Sequence, residues 1–136
     1  MNTAQNIAYS VVQVLHNFGA IATVGSALTA AKYHGMDFRN KLAWLALAGW
    51  GTQAASGAMF GMVSYYFYHR FPDISGVALA ALQIKILCAI CGMLLLATYL
   101  RVGMRWSECT RNAVWLLTSA LAVAALIAAA FLRWFA

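Results

Sequence analysis

Four long apolar runs, separated by short polar gaps, dominate this chain. They fall at about residues 7–31, 42–68, 74–100 and 113–131. A helix needs about 20 apolar residues to cross the hydrocarbon core of a bilayer. Each run meets that length. Strands of a membrane barrel would be ~10 residues with alternating polarity, and these runs show no such alternation. Only helices and closed barrels satisfy their backbone groups inside lipid. The sequence therefore predicts an all-α integral membrane protein, one four-helix transmembrane domain over residues 1–136.

Charge supports this reading. Of 136 residues, 64% are hydrophobic and 9% charged. A soluble domain is about a quarter charged, so this chain has too few charges to cover a water-facing surface. The net charge of +6 could suggest nucleic acid, but the basic residues sit in the gaps between runs, where membrane edges explain them better. No nucleic-acid partner is expected.

The gaps span residues 32–41, 69–73 and 101–112. Short connections force antiparallel neighbours, hence an up-down-up-down bundle. The first and third gaps carry Lys32, Arg39, Lys41, Arg101, Arg105 and Arg111; the opposite side has only Arg70 and Arg133. Basic loops stay on the cytoplasmic side. Both termini are thus expected on the non-cytoplasmic side, periplasmic for a bacterial inner membrane. Tyr9, Tyr65, Tyr66, Tyr68 and Trp134 mark the outer edge; Tyr33, Trp44, Tyr99, Trp106 and Trp115 mark the inner one. Pro72 and Asp73 read as a helix stop and restart. The opening MNTAQNIAYS has no basic stretch or cleavage site of a signal peptide.

Polar groups inside apolar runs carry the functional information, because each needs a partner there. Run one places Ser10, Gln13, His16 and Asn17 on one face. Run two has Gln53, on a ridge with Gly49, Gly57 and Gly61. Run three has Gln83 and Lys85, the latter in a stripe with Ala81, Cys88 and Gly92. His16 and Lys85 enter from the same outer side and can reach similar depths. Run four offers only Thr118 and Ser119 and reads as scaffold.

Each of these has a bland and a sharp reading. The glycine ridge lets a helix approach closely, within the bundle or in a homo-oligomer or partner-subunit contact. His16 is either a hydrogen-bonded neutral imidazole or a ligand to haem b or a transition metal. His69 is the one other histidine that could pair with it on a haem. Cys88 and Cys91 form a CxxC on one helical face; they either pack or offer soft donors for copper(I), which Lys85 one turn away favours by stabilising thiolate. Met59 and Met62 either fill the core or extend a copper path. Lys85 either snorkels to the interface or is a buried functional charge. No acid lies within any run, so a carboxylate proton relay is not expected. Walker, dinucleotide-binding and HExxH motifs are absent, and the chain is not expected to be an enzyme.

LHNFGAIATVGSA in run one, ASGAMFG in run two and LQIKILCAICGMLLLATYLR in run three together resemble CopD-type (copper-resistance protein D-like) membrane domains over about residues 12–101. The resemblance implies that His16 is that family's first-helix histidine. It implies that Lys85 and Arg101 are the basic residues opening and closing the third helix. It also implies a role in handling copper. Three functions follow as expectations: copper or other metal handling in the membrane, an accessory or anchor subunit of a larger respiratory or oxidase-type complex, and a haem b electron carrier.

Overall fold

A computed structural model describes residues 3–135. It is all-helical: α1 Thr3–Lys32, α2 Met36–Tyr68, α3 Gly76–Val102 and α4 Glu108–Phe135, with a 3-10 turn over Gly103–Arg105 after α3. Neighbours pack in the ring α1–α2–α3–α4, which α4 closes back onto α1, so α1 and α3 sit at diagonal corners. This is the expected four-helix up-down bundle.

Three of the helices, α1, α3 and α4, are long and apolar enough to cross a membrane. The sequence reading expected four such spans. α2 falls short because Gly49, Gly51, Thr52, Gln53, Ser56 and Gly57 interrupt its apolar stretch, and it turns Arg39, Gln53, Ser56 and Ser64 into the bundle. Helices also begin earlier than the apolar runs. α2 starts at Met36 rather than 42, with Asp37 in its first turn; α4 starts at Glu108 rather than 113. Acidic groups at helix N-termini and basic groups such as Lys32, Arg101 and Arg133 in last turns complement the helix dipole, so the polar ends stay helical. α3 starts at Gly76, two residues later than expected, behind His69 and Gly76, both with left-handed backbone (φ 52° and 53°).

The bundle is packed inside out relative to a soluble protein. Its buried positions are mostly small: Ala27, Ala30, Ala43, Ala46, Thr23, Ser26, Ala122 and Ala125, around Trp50, Tyr99 and Trp115. Ile7, Phe18, Ile21, Leu87, Leu94 and Leu116 lie exposed. In lipid, helices gain by close backbone approach rather than by burying leucine. Tyr99 and Trp115, expected at the inner edge, instead stack edge-on at 5.2 Å inside the core. Tyr33, Trp44, Tyr66 and Trp134 are exposed.

The glycine ridge divides. Gly49 packs on α1: a Cβ there would lie 2.8 Å from the Thr23 backbone nitrogen and 2.9 Å from the Gly19 carbonyl. A Cβ on Gly57 would meet nothing within 4 Å, and one on Gly61 only the Phe71 ring at 3.8 Å. On α3, Gly92 seats the Trp50 indole, which a Cβ would approach to 2.8 Å. Gly92→Ala should cost about 1–2 kcal/mol through displacement of that ring, read as a lower midpoint in thermal unfolding in detergent.

Candidate functional site

The site is built from one side chain on each of three helices. Ser56 on α2 donates its single hydroxyl proton to the Thr52 carbonyl at 2.6 Å. Toward His16 on α1, 2.7 Å away, the same oxygen can only accept. With the Ser56 proton on Thr52, His16 Nδ1 carries the ring proton and Nε2 is the acceptor. Lys85 on α3 donates to that Nε2 at 2.7 Å. The result is a directed relay: Lys85 to His16 to Ser56 to the α2 backbone. Phe60 packs edge-on against the imidazole, with ring centroids 5.9 Å apart.

Lys85 lies nine residues into α3, roughly 14 Å along its axis. It reaches across the diagonal of the bundle to α1. His16 and Lys85 are each partly buried. The chain has three acids: Asp37, Asp73 and Glu108. Among the described residues none pairs with Lys85; the ion pairs formed join Glu108 to His34 and Arg111, each at 3.7 Å. Lys85 thus meets an imidazole and, among the described residues, no carboxylate.

The other expected site residues scatter. Gln13 donates to Asn17 at 2.8 Å, and this pair faces outward beside His16. Gln53 is buried against Gly19. Met59 and Met62 are exposed on α2. Cys88 is buried in the core cluster, Cys91 is partly buried and Cys109 is exposed. His69 is exposed and ends α2, its N–H bonded to the Tyr65 carbonyl at 2.8 Å. Among the described residues no three His, Cys, Asp or Glu side chains group as a metal site. The donors considered for copper are thus not gathered around His16.

Two participants escaped the sequence reading. Ser56 is 40 positions from His16 and reads as one more small residue in a Gly/Ala-rich helix. Arg39 was counted as a loop charge, yet it is fully buried. Its Nε donates to the Ala30 and Tyr33 carbonyls at 3.0 and 2.8 Å, and its Nη2 to Asn112 Oδ1 at 2.8 Å. It thus caps carbonyls that α1 leaves unpaired at its end and ties α1, α2 and α4 together on the basic side. A signal was present: Arg39 lies three residues before Leu42 and four before Ala43, both core positions, so it shares their helical face.

No known family, curated protein or solved structure matches the chain.

Proposed function

We propose that this protein acts by binding, without catalysis of its own, and holds a ligand at the His16–Lys85 pair within the outer half of a bacterial inner membrane. In this reading all four helices cross, α2 being carried through by its antiparallel packing on α1. Both termini are periplasmic, as the six-to-two distribution of loop basic residues suggests. The observation that carries the proposal is that Lys85, a basic side chain inside the bundle, has no carboxylate partner among the described residues. A cation at membrane depth is expensive unless it is matched. A ligand presenting a carboxylate or another strong acceptor would match it, while His16, held by Ser56, keeps the ammonium aimed.

Oleate tests this. In mild detergent, oleate should raise the unfolding midpoint of the wild-type protein more than oleyl alcohol does, and Lys85→Met should remove the difference. An equal response to acid and alcohol in the wild type would sink the reading.

One observation favours a second reading, metal or haem binding, in line with the CopD-type likeness. Ligating histidines commonly donate their other ring nitrogen to a fixed acceptor. His16 does this through Nδ1 to Ser56, leaving Nε2 as the nitrogen that would hold copper or haem b once Lys85 withdraws. Copper or a Soret band in purified wild-type protein, absent from His16→Ala, would establish it. A metal-free, colourless protein from copper- and haem-replete cells would end it.

A further inference from the structure

We infer that two copies of the chain associate in the membrane through α1, along the seam Asn6, Ser10, Gln13 and Asn17. These positions are spaced four, three and four apart, the a/d spacing of a coiled-coil seam. At 100° per residue they fall within about 60° of the helix surface. In a single copy Asn6, Ser10 and Asn17 are exposed and Gln13 partly so, although α1 is otherwise apolar enough to span a bilayer. Asn17 stands fourteen residues into a thirty-residue helix, near the middle of the hydrocarbon core. Lipid chains offer an amide there no hydrogen bond.

The chemistry of the seam selects its occupant. Gln13 Nε2 donates to Asn17 Oδ1. That single bond leaves the Gln13 carbonyl and the Asn17 N–H groups with capacity to spare, one acceptor and two donors on adjacent turns. The set is its own complement. A two-fold axis along the membrane normal sets α1 parallel to its copy, and each Gln13 carbonyl can then accept from the other chain's Asn17. Such an isologous contact uses the same patch twice and satisfies both amides. The seam adjoins His16 at the next sector of the helix, so the second copy also covers the lateral side of the binding pair.

Cysteine cross-linking in native membranes tests this, in a background of Cys88→Ala, Cys91→Ser and Cys109→Ser. Asn6→Cys and Ser10→Cys should form disulfide dimers on oxidation. Val11→Cys and Leu15→Cys, exposed positions about 100° or more around the helix from both, should not. In reconstituted vesicles, energy transfer between labelled copies should show dimers, and the double variant Gln13→Leu, Asn17→Leu should weaken association by about tenfold or more. Among the described residues Gln13 and Asn17 hydrogen-bond only to each other, so helicity and melting of the single copy should hold in that variant. The single conservative variant Asn17→Gln should keep association. Equal cross-linking from both faces, a monomeric wild type, or a dimer indifferent to the double variant would each overturn the proposal.

Discussion

Replacing Gly49 by leucine should pry α1 from α2 and cost about 3 kcal/mol, the upper range for overpacking a tight contact. The neighbours a side chain would strike at 2.8 and 2.9 Å are backbone atoms of Thr23 and Gly19, which cannot rotate away. Only separation of the helices makes room. That shift would also move Ser56 away from His16, so any ligand response of the site should fall with stability. Gly57→Leu, on the same helix but facing open space, should change stability by less than about 0.5 kcal/mol. Detergent-titrated unfolding of the two variants side by side reads the difference; equal losses would show that the α1–α2 approach is not what holds the bundle.

The second large effect is expected at Arg39. Arg39→Met keeps the aliphatic stem but removes the guanidinium that bonds Ala30, Tyr33 and Asn112. A hydrogen bond from a charged donor contributes about 1.5–3 kcal/mol, and buried acceptors left bare add a penalty. A loss of about 3–5 kcal/mol follows, again measured by unfolding in detergent. Arg39→Lys should recover only part of it, because an ammonium on a single stem cannot span acceptors on two helices as the guanidinium fork does. Lys41→Met, at an exposed position two residues on, is the matched control and should be nearly silent.

Much of this architecture is legible in the chain. Helix number, order and antiparallel packing follow from the length of the apolar runs and the shortness of the gaps. The pairing of His16 with Lys85 is legible as shared depth, because both are polar intruders entering from one side. Its third member was not, since Ser56 lies in a helix full of small residues and only tertiary packing distinguishes the one facing His16. Arg39 misled for a related reason. Lysine and arginine near a helix end ordinarily face headgroups, and the apolar run begins only at Leu42. The helix actually begins at Met36, so Arg39 sits within it, on the same face as Leu42 and Ala43. The glycine ridge splits in two. Residues four apart drift slowly around a helix, so Gly49 and Gly57 diverge enough for one to touch α1 and the other to face outward. Met59 and Met62 illustrate the limit of donor counting. Composition supplied thioethers, but the face they occupy points away from the imidazole.

The Arg39 knot has a mechanical consequence. It clamps three helix ends on the basic side with a fully buried guanidinium, whereas toward the opposite side the ties between helices include the single hydrogen bonds of the His16 site and the stacking of Tyr9 on Phe60. A bundle held more firmly at one end bends like a reed in a vice, with displacement growing toward the other. His16 and Lys85 lie on the more lightly tied side. Thermal breathing should therefore be larger around the His16–Lys85 pair than around Arg39. Amide exchange should run faster in residues 3–16 of α1 than in residues 17–32, and Arg39→Met should abolish that gradient.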